Sequence, residues 1–489
     1  MKILLNSGLF EYDIRGLLQA FFPWEKFSME ESAEGDSLSV FFARVSDPED
    51  TREITVEERG EFRAEITFSY EDAVYRKEIS FDRSDPMAKT RVKQEIYRIL
   101  SRATGRTLPW GTLTGIRPTK LVREMREQGT DRDESVLRLK NDYFVNEEKA
   151  ALADSVADSE MRLLKTLRAE DGYSLYVGVP FCPSTCLYCS FSSVTIDAYR
   201  ERIGEYLEAV ERELKLIREL AGSRRLHSIY FGGGTPTSLS ASELDSLLSM
   251  VARIFPVGES LEWTVEAGRP DSITREKLRV MKQYPVTRIS VNPQTMHDRT
   301  LELIGRRHTS SDVRRAFSEA REEGIGNINM DLILGLPGET EAEIRETLDE
   351  VVAMGPQSVT LHALAIKRSS RLNLFKEIYQ NYRMELPETL MSECTGLLRE
   401  NGLFPYYLYR QKNMAGNLEN VGFSKKGAEC FYNILIMEEV EDILSAGAGA
   451  MTKRVTGTRV ERAANPHDVD TYLKNLDEML MRKRKLYEI

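Results

Sequence analysis

The residues most able to do chemistry lie in YVGVPFCPSTCLYCSF, Tyr176 to Phe191, which holds Cys182, Cys186 and Cys189 in a C-x3-C-x2-C spacing. Three thiolates this close in sequence can wrap a compact polynuclear iron–sulfur core. A structural zinc site needs a fourth ligand and usually pairs two C-x2-C knuckles. No second knuckle is present, and Cys394 and Cys430 stand alone far downstream, where a buried structural thiol is the plainer reading. A cluster with three protein ligands leaves one iron open for chemistry.

Further polar residues recur after this loop, several of them at the ends of apolar runs. Phe231–Thr237, FGGGTPT, offers side-chain-free backbone that a ligand can approach and amide groups that an anion can use. No Lys-Ser/Thr pair follows, which argues against a nucleotide P-loop. Glu266 in TVEAGRPD and Gln294 in ISVNPQT each end an apolar run, Arg306 in LIGRRHT supplies a five-donor guanidinium, and Asp331 interrupts NINMDLILGLP. A carboxylate within a hydrophobic strand is costly unless it is paired or sits at a mouth. Singly these residues could tidy loops; together they predict a binding cavity.

The elements that must position them follow a βα rhythm from Tyr173 to about Ile366. Strands are predicted at Tyr173–Val179, Ser228–Phe231, Leu261–Ala267, Thr287–Val291, Asn327–Leu334 and Ser358–Leu364, with helical stretches between. Six such units fit an incomplete barrel, and ligands of parallel sheets gather at the carboxyl ends of the strands, where the polar residues fall. The predicted core covers residues 166–374. Residues 1–165 read as a separate α+β module with a first strand and helix, then runs at Ser37–Val45, Glu53–Glu58, Glu61–Tyr70 and Ala73–Phe81, and a helix capped by Asp85 with Pro86 at its first position, reaching about Arg102 before Gly105. The turn-rich Leu108–Leu121 segment carries Arg117 and Lys120, for which a solvated loop and anion contact are both open readings. Residues 375–489 are expected to form a mainly helical cap ending in the helix Asp468–Lys485.

The 489 residues carry 78 acids against 67 bases, a net charge of −11, so no global positive field holds a nucleic-acid backbone. No apolar run approaches the roughly 20 residues of a membrane span, and five cysteines cannot build a dense disulfide framework, so a reducing cytoplasmic setting is expected.

The cysteine motif, with Tyr188 just before its last cysteine, resembles the signature of the radical S-adenosylmethionine (SAM) superfamily. The succession Tyr176, PFC-x3-C-x2-C, GGGTPT, Glu266, Gln294, Arg306, Asp331 and DLILGLPGET is similar to the oxygen-independent coproporphyrinogen III oxidase branch, and to its HemZ-type members in particular. WGTLTGIRPTKL extends the likeness into the N-terminal module. The resemblance implies a partial (β/α)6 barrel and a 4Fe–4S cluster held by Cys182, Cys186 and Cys189, with one or two SAM molecules bound. It also implies that Gly234, Thr235, Gln294, Arg306 and Asp331 line a SAM site, with Tyr176, Tyr188, Gly233, Glu266 and Ala363 near it. Its activity would be oxidative decarboxylation of two propionates to vinyl groups, with a porphyrinogen substrate and a reductant such as flavodoxin or ferredoxin. Two departures stand out: the better-known oxidases have His and Cys where this chain has Gly178 and Phe191. These leave room for a haem-binding chaperone of the same branch, or a methylase or ring-opening enzyme acting on haem.

A tetrapyrrole with several carboxylates needs local positive charge on so acidic a chain. Candidates are Lys367, Arg368 and Arg371, and Arg410 with Lys412, the latter interleaved with Tyr406, Tyr407 and Tyr409. Core packing is the alternative reading for the tyrosines, and structural hydrogen bonding for His362 at the end of the sixth strand.

Overall fold

A computed structural model describes residues 1–23, 25–29, 37–44, 60–115, 117–167, 171–189, 193–365, 370–374, 386–411, 414 and 417–487. The chain divides into two compact units. One holds Met1–Ser155 and Arg410–Glu419, the other Val156–Tyr409 and Asn420–Ile489.

In the first unit, β1 (Lys2–Leu5), β2 (Ser28–Met29), β3 (Ser37–Arg44), β4 (Glu61–Tyr70) and β5 (Ala73–Asp82) form a sheet in the order β2-β1-β3-β4-β5. The β4 sequence alternates, so Phe62, Ala64, Ile66 and Phe68 all face inward. Against them pack Ile14, Leu17, Leu18 and Phe21 of α1 (Glu11–Phe21) and Val92, Ile96, Ile99 and Leu100 of α2 (Ala88–Thr104), at the three- and four-residue spacing of an apolar helix face. The expected start of α2 at Pro86 is corrected. Asp85 instead makes a turn, its carboxylate accepting from the Met87 amide at 2.8 Å, and the helix begins at Ala88. Gly105 ends it in the left-handed conformation, as expected. The Glu53–Glu58 run lies outside the described residues.

Three helices follow, α3 (Pro118–Glu127), α4 (Arg132–Tyr143) and α5 (Glu147–Leu164). Trp110, from the turn-rich segment, is fully buried; its indole donates to Glu419 Oε2 at 2.7 Å, and Lys149 Nζ donates to Glu419 Oε1 at 2.9 Å. Arg410 lies over the Trp110 ring at 5.4 Å and donates to the Leu113 carbonyl and to Asn417 Oδ1. Arg410, expected as a substrate-binding cation, is therefore a buried structural residue of this unit. Burial draws its pKa down to about 10, with Glu419 opposing.

In the second unit the six expected strands all form: β6 (Gly172–Val179), then, after β7 (Phe181–Cys182) and β8 (Val194–Thr195), β9 (Arg225–Gly233), β10 (Glu262–Val265), β11 (Arg288–Ser290), β12 (Asn327–Leu334) and β13 (Ser358–Ala363). Those six are parallel neighbours in chain order. Their connecting helices are α6 (Ile203–Ala221), α7 (Ala241–Ile254), α8 (Arg275–Lys282), α9 (Asp298–Leu303), α10 (Ser310–Glu322) and α11 (Glu341–Met354). Ser240 with Glu243, Thr309 with Asp312 and Thr340 with Glu343 make capping boxes that start α7, α10 and α11 just after the site loops.

The C-terminal stretch holds the expected helices and adds strands that were not expected. Besides helices such as Glu388–Glu400 and Leu476–Tyr487, it supplies β14 (Phe404–Tyr409), β15 (Asn420–Ser424), β16 (Asp442–Ala446), β17 (Met451–Thr456) and β18 (Arg459–Ala464). These extend one 11-stranded sheet, in the order β14-β15-β13-β12-β11-β10-β9-β6-β16-β17-β18. Residues from Asn420 on thus lie in the same unit as the parallel core. The physical reason is edge pairing. An open six-stranded sheet leaves β6 and β13 with unpaired backbone, which β16 and β15 satisfy.

Candidate active site

Cys182 closes β7, and Cys186 and Cys189 follow in the loop before β8. Leu187 holds that loop: its amide donates to the Ile304 carbonyl and its own carbonyl accepts from Leu372, each at 2.9 Å, while its side chain packs with Leu301, Ile304 and Leu336. Cys182 Sγ lies 3.4 Å from Thr235 Oγ1, and Cys186 Sγ lies 3.7 Å from Arg269 Nη1. Among the described residues no three His, Cys, Asp or Glu side chains gather as for a single metal ion. The donor set, three thiols on one short loop, suits a larger core spread between them.

The amides of Gly233, Gly234 and Thr235 in the triple-glycine loop have protein partners. The Gly234 amide donates to the Val179 carbonyl and the Thr235 amide to the Phe181 carbonyl, both at 2.8 Å, so both are already engaged with the cysteine-loop entry. A Cβ on Gly234 would stand 2.7 Å from the Phe181 carbonyl oxygen. The glycine is needed for this close approach of two strand ends. Gly233 has φ +107, and its amide bonds the Glu266 carboxyl.

Glu266, just past β10, accepts from Tyr230 Oη at 2.5 Å. Burial pushes its pKa up to about 7, the Tyr230 and Gly233 bonds opposing and Asp331 adding to the rise. Tyr230 stacks at 4.4 Å on Tyr432, and Tyr176 stacks on both. Asp331 projects from β12, where Asn329 donates to it at 2.7 Å and His362 Nε2 lies 3.8 Å away. Burial raises the Asp331 pKa, but bonds from His362, Asn329 and Thr360 outweigh it and hold the group below its ordinary value. His362 also meets Tyr409 Oη at 3.4 Å.

Arg306 is buried; Nη1 donates to the Asn292 carbonyl at 2.9 Å and Nη2 to Tyr188 Oη at 2.9 Å, while Nε has no protein partner. Gln294 takes a left-handed φ of +70, unusual for a residue with a side chain. Its amide and carbonyl bond Asp331 and Ile333 at 3.0 Å each, extending the β12 ladder, and its Oε1 is buried without a partner. It borders a small cavity with Leu332, Glu339, Thr347 and Cys394. Ala363 ends β13, its amide held by Asn420 Oδ1 at 3.0 Å. The orphaned Arg306 Nε, on a side chain bonded to Tyr188 of the cysteine loop, fits a polar ligand beside a cluster, whereas Gln294 borders the cavity that holds Cys394.

The structure brings Tyr176, Tyr230 and Glu266 into contact, and Asp331 into contact with His362. Tyr406 and Tyr407 are buried core residues. Arg371 is exposed at the start of a short helix, while Phe191, Lys367, Arg368 and Lys412 lie outside the described residues. Sequence reasoning missed Tyr230, Tyr432 and Arg269. The first two lie on a strand and a helix whose apolar patterns conceal them, whereas Arg269 had a signal, standing three residues beyond Glu266 in the same strand-end loop. At Gly178, a Cβ would lie 3.2 Å from the Ala448 carbonyl oxygen and 3.4 Å from that of Ala446, so main chain from the 446–448 turn fills the space beside the departure.

The six-stranded parallel core with a three-thiol loop after its first strand defines a radical SAM barrel, and the radical SAM superfamily profile matches residues 176–351. The chain is 41% identical over 425 residues, 85% of each chain, to the oxygen-independent coproporphyrinogen-III oxidase-like protein HemZ of Bacillus subtilis. It is 33% identical to the heme chaperone HemW of the same organism, over 57% of this chain and 70% of HemW. The fold is shared with the coproporphyrinogen III oxidase HemN of Escherichia coli, at a TM-score of 0.50 and 20% identity over 65% of this chain and 73% of that one. The chain belongs to the radical SAM superfamily, in its HemN/HemZ-type branch. Members of that superfamily use a 4Fe–4S cluster and SAM.

Proposed function

We propose that the protein oxidatively decarboxylates two propionates of coproporphyrinogen III to vinyl groups, giving protoporphyrinogen IX without oxygen, in the cytoplasm and with electrons from a flavodoxin- or ferredoxin-type reductant. The observation that carries this reading is the likeness to HemZ, whose 425 aligned residues reach far beyond the superfamily core. Cys182, Cys186 and Cys189 would hold the cluster. When bound, the cluster and SAM would supply an electron and a 5′-deoxyadenosyl radical to take hydrogen from a propionate β-carbon, after which loss of carbon dioxide and of one electron to an acceptor would leave the vinyl group.

The chain's own residues would bind and orient. Arg306, with a spare Nε–H, suits an anionic end of SAM, and Asp331 and Gln294 suit its polar groups. Glu266, near neutrality in its pKa, would hold or accept a proton beside the Tyr176–Tyr230–Tyr432 stack, whose flat faces suit the adenine or the tetrapyrrole. Positioning of the target carbon and exclusion of water are the protein's main tasks.

Two observations favour a second reading, haem binding as a chaperone: the likeness to HemW and the glycine at 178. Anaerobic reconstitution with iron and sulfide, then incubation with SAM, reductant and coproporphyrinogen III, separates them. Formation of 5′-deoxyadenosine with loss of two carboxyl groups supports the oxidase. Retained haem without decarboxylation supports the chaperone, and methylated or linear tetrapyrroles would point to the remaining alternative.

A further inference from the structure

Arg269 lies in the loop after β10, three residues beyond Glu266, and its side chain is almost wholly buried. All five of its N–H donors have acceptors. Nε and Nη2 donate to the two Asp271 oxygens at 3.0 and 2.9 Å, and Nη2 also donates to Ser184 Oγ at 3.0 Å. Nη1 donates to the Ser184 carbonyl at 3.2 Å and to Cys186 Sγ at 3.7 Å. One guanidinium therefore grips the three-residue spacer between Cys182 and Cys186 while directing an N–H at the sulfur of the second cysteine.

Sulfur is a weak acceptor as a thiol and a good one as a metal-bound thiolate. A cluster gains negative charge on reduction, so hydrogen bonds and positive charge at its sulfurs favour the reduced form. We propose that Arg269 is a positioning residue that fixes Cys186 and raises the reduction potential of the cluster, with Asp271 as the opposing carboxylate that holds the guanidinium in place. This rests on the reading of the three cysteines as cluster ligands.

The test is the midpoint potential of the reconstituted cluster, followed by electron paramagnetic resonance during anaerobic titration, with iron and sulfide counted in each preparation. R269Q is expected to move the potential to more negative values, R269K to move it less, and D271N to move it to more positive values. Should R269Q fail to load, the sign of the D271N shift decides. Potentials equal to wild type in the loaded variants, or a D271N shift of the opposite sign, overturn the inference, as does failure of all three variants to load. A wild-type protein that takes up no four-iron cluster overturns instead the underlying assignment of the cysteines.

Discussion

Tyr230 of β9 donates a 2.5 Å hydrogen bond to the partly buried carboxyl of Glu266, which stands just past the neighbouring parallel strand β10, at the same end of the sheet. A phenol is a neutral donor, so it steadies the carboxylate without cancelling its charge. Burial still wins, and the group titrates at about 7.

The first prediction follows from that balance. Glu266 and Glu339 both have pKa values raised from 4.5 to about 7, chiefly by burial. Each carboxyl binds its proton more tightly when folded. The stability it contributes is present below pH 4.5 and is lost as pH rises through 7, on the order of 3 kcal/mol per group. Thermal melting across pH 4.5–8 should show falling stability, with the slope reduced in E266Q and in E339Q. An unchanged slope in both variants would contradict the burial argument.

Replacing Cys182, Cys186 or Cys189 with Ser should reduce iron content after reconstitution to background and abolish 5′-deoxyadenosine formation. Cys182 ends the two-residue β7 and Cys186 and Cys189 lie in the loop after it, so far-UV circular dichroism should be unchanged and stability should move by about 1 kcal/mol or less. The corresponding change at Cys394, buried beside the Gln294 cavity, should leave iron content at the wild-type level.

K149M removes the cation from a buried pair and leaves the Glu419 carboxylate uncompensated at the Trp110 indole. A loss of about 3–5 kcal/mol is expected. The double variant K149M/E419Q keeps an acceptor for Trp110 and should recover much of that loss, as a denaturant titration of both would measure.

Gly178 tests the departure from the oxidase pattern. G178A is tight against the Ala446 and Ala448 carbonyls and should cost about 1 kcal/mol, while G178H must displace the 446–448 turn and should cost more. We expect G178H to lower the melting temperature without increasing decarboxylation of coproporphyrinogen III. A stable G178H protein with raised turnover would reverse this view of the site.

The amino-acid sequence alone determined the three-thiol loop, the six parallel strands and the polar residues at their ends, because each depends on spacing within a few residues or on a local hydrophobic period. Phe231–Thr237 was legible as a close-approach loop, but not the partner that it approaches. Only the tertiary structure decided that the Gly234 and Thr235 amides are engaged with the Val179 and Phe181 carbonyls, that Arg410 is buried on Trp110, and that β14–β18 extend the sheet. Each of these joins residues tens to hundreds of positions apart. Such pairings are set by which buried donors, charges and strand edges must be satisfied once the chain has collapsed, and no local pattern records that competition.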